Sequence, residues 1–346
     1  MKRTAVITAL VSAAALLMGI SYAAPRKASS AVPSRSFTLD YTIHVPALPA
    51  GSHELRLWIP LPYQGTDAFQ TISQLKIESP LKYRIDRESE FGDRYAYVVA
   101  NAAEAAKPFD IKVSLHATRF EHRVSLTPSE NAPAAPHFET ARYLRPDKLV
   151  PIDGQIAQLS AEQTAGATEP LAKARKIYNY VIATMHYDHD GNGWGHGDAI
   201  YACNAKHGNC TDFHSLFIAM ARAAGVPARF QIGLPLPLDS HAGAITSYHC
   251  WAEFFNPQNG WMPVDISEAW LHPEKKDYFF GANDANRIQF SLGRDLKLNP
   301  PQQGEPLNYF VYPYVEIEGK EYSRIDMKFS FADALESLTQ ASVNKP

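Results

Sequence analysis

The sequence predicts an α+β protein, in which an N-terminal antiparallel β-sandwich precedes a domain whose antiparallel sheet packs on helices. Between residues 37 and 123 apolar residues recur at every second position, which is typical of half-buried strands. After residue 151 the apolar spacing changes to three and four, which is typical of amphipathic helices, and strand-like runs follow. We therefore expect a sandwich at 37–123, a linker at 124–150 and the α+β domain at 151–346.

The sandwich segments each carry one apolar face. In the first segment, FTLDYTIHV, the side chains of Phe37, Leu39 and Tyr41 fall on the same side of a strand. Turns rich in proline, glycine and polar residues separate it from the later segments, which are HELRLWIPLP, TISQLKIES, RYAYVVAN and FDIKVSLHATRF. This arrangement favours antiparallel pairing with short connections.

The N-terminus has the pattern of a secretory signal peptide. Lys2 and Arg3 precede an apolar run from Ala5 to Ile20, and Ser21-Tyr22-Ala23 offers a small-residue cleavage site. We expect a signal peptide at 1–23, cleaved near Ala23, then a disordered spacer at 24–36 and a periplasmic or secreted protein. An uncleaved membrane anchor is the alternative.

The composition excludes two classes of partner. The net charge of −3 gives no basic surface for nucleic acid. No later run approaches the ~18 apolar residues of a membrane-spanning helix, so we expect no stable membrane insertion after signal cleavage.

The cysteine count favours a free thiol. The chain has three cysteines, Cys203, Cys210 and Cys250, whereas a disulfide framework in an exported protein uses an even number. Whether Cys203 and Cys250 pair with each other stays open at this point.

Cys210 precedes a strongly patterned helix. The apolar face of the stretch GNCTDFHSLFIAMARAAGVPAR consists of Phe213, Leu216, Phe217, Met220, Ala221 and Ala224. Gly225 and Pro227 end the helix. Cys210 therefore lies in the first turn, where unpaired N–H groups and the helix dipole lower a thiol pKa. A buried, inert cysteine is the alternative.

A β-hairpin brings a histidine and an aspartate to one face. The strand-like runs SYHCWAEFF and WMPVDI flank the turn residues NPQNG. If Phe255 pairs with Trp261, Asp265 faces Trp251 and becomes the diagonal neighbour of His249. The next residue, Cys250, should then point away into packing and have only a structural role.

Four blocks between residues 170 and 270 resemble the transglutaminase-like superfamily, which has a papain-like thiol fold. They are Gly208-x-Cys210-x-Asp212-Phe213, Arg222-Ala-Ala-Gly225-Val-Pro227-Ala-Arg229, His249-x-Trp251-x-Glu253 and Gly260-Trp261-x-Pro263-x-Asp265. The resemblance implies that Cys210 is the nucleophile, His249 the base and Asp265 the residue that orients the base. The N-terminal sandwich also resembles the β-domain that precedes this core in secreted bacterial members.

The oxyanion site is less defined. The backbone N–H of Cys210 is one natural donor because it lies at the helix start. Trp194, Tyr187 and Asn204 are alternatives for the second donor.

The loop DHDGNGWGHGD begins like a calcium-binding loop. Asp188, Asp190 and Asn192 have the required spacing, but Ala199 occupies the twelfth position, where a bidentate glutamate is needed. We favour a glycine-rich loop beside the active cleft over Ca²⁺ binding at Asp188–Asn192, and expect no required cofactor. Several histidines near Cys210 lack the ligand spacing of a zinc site.

These features together predict an exported cysteine enzyme that acts on carboxamide or peptide bonds through an acyl-enzyme. Hydrolysis of a peptide or protein substrate in the cell envelope is the expectation that the resemblance favours. The alternatives are an amine-accepting transglutaminase that cross-links proteins, and a non-catalytic envelope protein that binds peptide or glycan.

We predict that the mature protein begins near Ala24. Intact-mass measurement on protein exported from the native host should show the loss of about 23 residues. Retention of Met1 in the membrane fraction would contradict cleavage and favour the anchor.

Overall fold

The computed structural model describes residues 32–65, 69–127 and 140–334. The predicted signal peptide and its cleavage site lie outside the described residues, as does the predicted spacer up to residue 31.

Strands flank a helical segment in the described residues. The strands are β1 (Ser34–Val45), β2 (Glu54–Pro60), β3 (Gln70–Glu78), β4 (Tyr83–Arg87), β5 (Arg94–Asn101), β6 (Phe109–Phe120), β7 (His122–Arg123), β8 (His186–Tyr187), β9 (His207–Gly208), β10 (Ala228–Pro235), β11 (Ala242–Ile245), β12 (His249–Asn256), β13 (Gly260–Val264), β14 (Ala282–Asn283), β15 (Arg287–Leu292), β16 (Tyr314–Ile317), β17 (Lys320–Glu321) and β18 (Asp326–Asp333). The helices are α1 (Gly154–Thr164), α2 (Pro170–Thr184), α3 (Ala199–Ala205), α4 (Cys210–Ala223) and α5 (Ile266–Leu271), with 3-10 turns at Arg142–Leu144 and Pro273–Lys275. The predicted α+β class is confirmed.

Two five-stranded antiparallel sheets form the N-terminal sandwich. Their strand orders are β11-β18-β1-β6-β3 and β17-β16-β2-β5-β4. Burial alternates along β1, as the period of two predicted, and its inward residues share one core with Leu55 and Leu57 of β2. β1 begins at Ser34, inside the predicted spacer, because Ser34 already pairs with Phe120 of β6.

The C-terminal part of the chain returns to complete both sandwich sheets. β18 pairs with β1 along its length, and β16 pairs with β2. The predicted domain boundary assigned these strands to the range 151–346. Their alternating pattern indicates a strand but not its partner, because the partner depends on contacts between residues far apart in sequence.

A third sheet and the helices surround α4. The sheet has the order β13-β12-β10-β15, and α4 packs against its strands β12 and β10 and against α1, α2 and α3. All residues of α4 from Cys210 to Arg222 are buried. The sequence predicted this helix with one apolar face, whereas neighbours cover it on every side. Gly225, with φ of +78°, follows its end, as predicted.

We predict that Phe329 stabilises the whole chain, since its ring joins strands from three regions. The ring lies 5.1 Å from the ring of Tyr41 in β1 and 6.4 Å from that of Phe290 in β15. Phe329→Ala should lower the free energy of unfolding by about 3–5 kcal/mol, measured by urea denaturation.

The neighbouring exposed residue provides the control. Lys328→Ala should change the same free energy by no more than about 0.5 kcal/mol. Equal stability of the two variants would show that this aromatic contact does not join the strands.

Candidate active site

Cys210 is the first residue of α4. The side chain of Asn209 caps the helix by accepting a hydrogen bond from the N–H of Thr211 at 2.9 Å. The Asp212 carboxylate in turn accepts from the N–H of Asn209 at 3.0 Å, which completes a capping box. The sulfur therefore lies at the positive end of the helix dipole, as predicted.

Asp212 also fixes the glycine-rich loop to the start of α4. Its buried carboxylate accepts hydrogen bonds from the N–H groups of Gly195 at 2.7 Å and Gly197 at 3.0 Å. Gly208 allows this approach, because a Cβ there would lie 2.3 Å from Asp212 Oδ2.

The hairpin of β12 and β13 has the predicted register. Phe255 pairs with Trp261, and the chain then places His249 next to Asp265. His249 Nε2–H donates to Asp265 Oδ2 at 2.7 Å, and both side chains are buried. Since Nε2 is engaged by the carboxylate, the other ring nitrogen, Nδ1, is the one that can serve the thiol.

Asp265 is held from several directions. It is the N-cap of α5, and its Oδ1 accepts from the N–H of Glu268 and the hydroxyl of Ser267, both at 3.2 Å. Its Oδ2 accepts from Arg287 Nη1–H at 2.6 Å as well as from His249. Burial alone would raise the pKa of Asp265, but His249 and Arg287 hold it well below its usual range.

The surroundings of Cys210 and His249 favour a thiolate–imidazolium pair. A hydrogen bond from Cys250, followed by the hydrogen bond and charge of His249, lowers the pKa of Cys210 to about 5 despite burial. Burial acts to lower the pKa of His249, but Asp265 and Cys210 raise it well above 6.5. Between these two pKa values the cysteine is deprotonated and the histidine protonated.

This geometry coincides with a family match. Residues 157–266 match the model of the transglutaminase-like superfamily. This part of the chain is a transglutaminase-like domain. The match covers α1 to the start of α5, and so includes Cys210, His249 and Asp265.

Two further proteins are similar over most of the chain. A Haemophilus influenzae protein of uncharacterised function is 27% identical over 330 residues, with 84% of this chain and 88% of that protein covered. The crystal structure of a candidate cysteine protease from Cytophaga hutchinsonii has a TM-score of 0.58 and 15% identity, and the likeness covers 87% of this chain and 91% of that one. The structural likeness extends the shared fold beyond the transglutaminase-like domain to the sandwich.

Cys250 does not lie apart from the site, which corrects our expectation. Its thiol hydrogen-bonds Cys210, and its sulfur lies 3.6 Å from His214 Nδ1. Alternation along β12 turns the side chain of Cys250 away from His249, as predicted, and towards α4. The residue of α4 that it meets there is Cys210, so Cys250 contacts the site instead of only packing. Burial and the Cys210 thiolate raise the pKa of Cys250 well above 9, so it stays a thiol donor.

His214 links the start of α4 to the start of α5, and no role for this residue was anticipated from the sequence. Its Nε2 accepts from the N–H of Ile266 at 2.9 Å, so the proton is on Nδ1, which donates to Cys210 O at 2.7 Å. Burial lowers the pKa of His214 to about 4, which keeps it neutral. This histidine therefore ties the start of α4 to the start of α5.

The candidates for the second oxyanion donor differ in position. Asn204 is exposed and accepts a hydrogen bond from Gln155, and the ring of Trp194 packs on His189 at 4.6 Å. Burial raises the pKa of Tyr187, and the thiolate of Cys210 raises it further. Tyr187 is thus the candidate whose phenol interacts electrostatically with Cys210.

A group of tyrosines not anticipated from the sequence lies beside the same sulfur. Tyr248 accepts a hydrogen bond from Asn209 Nδ2–H at 2.9 Å, and its ring packs 5.7 Å from that of Tyr309. The position of Tyr248, directly before His249, was the available sequence signal. Tyr309 lies far along the chain and offered none.

The loop that begins like a calcium site uses its first aspartate otherwise. Asp188 Oδ1 accepts from His207 Nδ1–H at 2.8 Å and from the N–H of Asp190 at 3.2 Å. Within the described ranges, no three side chains from His, Cys, Asp and Glu are grouped so that they could hold a metal ion. The preference for a glycine-rich loop over Ca²⁺ binding at Asp188–Asn192 stays a prediction.

All three cysteines are free thiols, and Cys203 is partly buried in α3.

Across the part of the chain that the structure describes, no helix has the length and apolar character to cross a membrane.

We predict that Cys250→Ala changes both stability and the thiol pKa of Cys210. Loss of the buried side chain should lower the free energy of unfolding by about 1–2 kcal/mol. Loss of its hydrogen bond should raise the pKa of Cys210. The acid limb of alkylation, which is the pH range where the rate of reaction with iodoacetamide falls as the thiolate is protonated, should therefore move to higher pH.

Cys203→Ala is the control, because Cys203 lies in another helix. Cys203→Ala should leave the acid limb of Cys210 alkylation at the same pH as in the unmodified protein. An unchanged acid limb in Cys250→Ala would show that Cys250 is only structural.

Proposed function

We propose that the protein is a cysteine enzyme that cleaves carboxamide or peptide bonds through an acyl-enzyme. The observation that carries this proposal is the buried hydrogen-bonded series of Cys210, His249 and Asp265 at the start of α4. The description of the Cytophaga hutchinsonii protein as a candidate cysteine protease agrees with it.

In the acylation half, the Cys210 thiolate attacks the carbonyl carbon of the substrate. The His249 imidazolium then donates its Nδ1 proton to the leaving amine, and the C–N bond breaks. Asp265 accepts from Nε2–H throughout, so the ring keeps the orientation in which Nδ1 faces the sulfur. A thioester on Cys210 and a neutral His249 result.

Two donors stabilise the oxyanion of the tetrahedral intermediate in this proposal. The backbone N–H of Cys210 is the first, because the helix start leaves it without an intrahelical partner. The phenol of Tyr187 is the second, and its raised pKa keeps the proton on the oxygen.

In the second half, neutral His249 takes a proton from water, and the resulting hydroxide attacks the thioester. Hydrolysis releases the acid and restores the thiolate–imidazolium pair. An amine in place of water would give transamidation, which is the alternative reaction. The proposed substrate is a peptide or protein of the cell envelope, reached after export through the N-terminal signal peptide.

We predict that iodoacetamide alkylates Cys210 faster than Cys203 or Cys250, and does so below about pH 8.5, where an ordinary thiol is protonated. His249→Ala should slow this reaction near neutral pH because it removes the cation that pairs with the thiolate. Mass spectrometry of peptides at several pH values measures both effects. Alkylation of Cys210 only after denaturation would instead favour a non-catalytic binding protein.

The exposed His241, which is paired with Asp333, supplies a matched control. Their side chains are hydrogen-bonded at 2.9 Å, and that of His241 is 62% exposed. His241→Ala should leave the alkylation rate of Cys210 unchanged.

A simple acyl donor tests the acyl-enzyme itself. The protein should release p-nitrophenolate from p-nitrophenyl acetate and carry the acetyl group on Cys210, and Asp265→Asn should slow acylation by about two orders of magnitude or more. The partition of the acetyl group between water and added methylamine separates hydrolysis from transamidation. Acylation at the same rate in Asp265→Asn would contradict the role given to Asp265.

A further inference from the structure

Arg287 shares one carboxylate oxygen with the proposed catalytic base. Its Nη1–H donates to Asp265 Oδ2 at 2.6 Å, and His249 Nε2–H donates to the same atom at 2.7 Å. The side chain of Arg287 is 3% exposed and that of Asp265 is fully buried. The two side chains therefore donate to the same carboxylate oxygen, and together they fix its position.

The fold positions Arg287 for this contact. Arg287 is the first residue of β15, at the edge of the third sheet, and its guanidinium lies 5.0 Å from the ring of Trp251. The pairing of β10 with β15 shifts register at Gly233, where a Cβ would lie 1.8 Å from Ile288 O. The absence of a side chain at Gly233 thus lets β15 approach closely enough for Arg287 to reach Asp265.

A charge count shows what the guanidinium does. In the proposed resting state, Cys210 and Asp265 are negative and His249 is positive, so these three buried groups carry a net charge of −1. A buried net charge is costly because the protein interior solvates it poorly. The positive charge of Arg287 brings the four groups to neutrality.

We propose that Arg287 is a positioning residue that orients Asp265 towards His249 and neutralises the buried charge of the Cys210–His249–Asp265 set. This inference rests on the proposed function, because it assumes that Cys210 reacts as a thiolate.

Other charged or titratable groups surround Arg287 and Cys210. The Arg287 variants compared below leave all of these groups unchanged. Those around Arg287 are Asp284, Glu268, Tyr278 and His214. Those around Cys210 are Cys250, Asp212, Tyr187, Tyr248, Tyr309 and Tyr312.

The sign of the effect follows from the charge count. Removal of the positive charge leaves the buried set at −1, which disfavours a thiolate and raises the pKa of Cys210. In Arg287→Met the acid limb of Cys210 alkylation by iodoacetamide should move to higher pH by about one unit.

Arg287→Lys keeps the charge but loses the planar fork of the guanidinium, so the acid limb should stay at the same pH. Acylation by p-nitrophenyl acetate should then fall by about tenfold, because Asp265 is less well oriented.

Arg222 gives a matched control, because it is also a buried arginine bonded to a buried aspartate. Its Nη1–H donates to Asp147 Oδ2 at 2.6 Å, at the far end of α4 from Cys210. Arg222→Met should lower the thermal midpoint without moving the acid limb. A purely structural role for Arg287 predicts this same behaviour for Arg287→Met.

The outcomes separate the two proposals. If the unmodified protein is alkylated below pH 8.5 but Arg287→Met leaves the acid limb unchanged, the inference about Arg287 is overturned and the proposed function stands. If the unmodified protein shows no such alkylation, the proposed function itself fails. If Arg287→Met does not fold, Arg287→Lys decides: an acylation rate equal to that of the unmodified protein, or a shifted acid limb, would overturn the inference.

Discussion

The arrangement of the site depends on the hydrogen bonds that the buried carboxylate of Asp265 accepts. It caps α5, accepts from His249 of β12 and accepts from Arg287 of β15, so it joins a hairpin, a helix and an edge strand. A carboxylate in this fully buried position is stable as an anion only when cations and N–H groups compensate its lost hydration. The same partners that allow burial also fix its direction towards the imidazole.

A second buried carboxylate, Asp212, has a different function in the first turn of α4. Its carboxylate accepts hydrogen bonds from the backbone N–H groups of Asn209, Gly195 and Gly197, and burial raises its pKa. Asp265 is paired with cations, and its pKa is depressed. The two aspartates therefore differ in function: Asp212 joins the glycine-rich loop to α4, whereas Asp265 raises the pKa of His249.

Sequence reasoning was most successful where the interactions are local. The helix at Cys210 and the hairpin register that pairs Phe255 with Trp261 follow from spacing within one segment. The contact of Cys250 with Cys210 was missed, because alternation along a strand gives the face of a side chain but not which helix end covers that face. The contact of Arg287 with Asp265 was missed for a related reason: Arg287 lies 22 residues after Asp265 in another strand, and no local pattern joins the two.

The strands before residue 124 contribute to the site because the third sheet buries a polar face against them. Glu253, on the same face of β12 as His249 and Trp251, accepts from Arg229 and Gln231 and lies 3.3 Å from His122 of β7. Although burial opposes it, Arg229 and His122 lower the pKa of Glu253 to about 2. Water would weaken these ion pairs and the His249–Asp265 pair on the same face, since electrostatic interactions weaken as the local dielectric constant rises. By covering this face, the strands before residue 124 help to create the low-dielectric surroundings in which the imidazole of His249 stays paired.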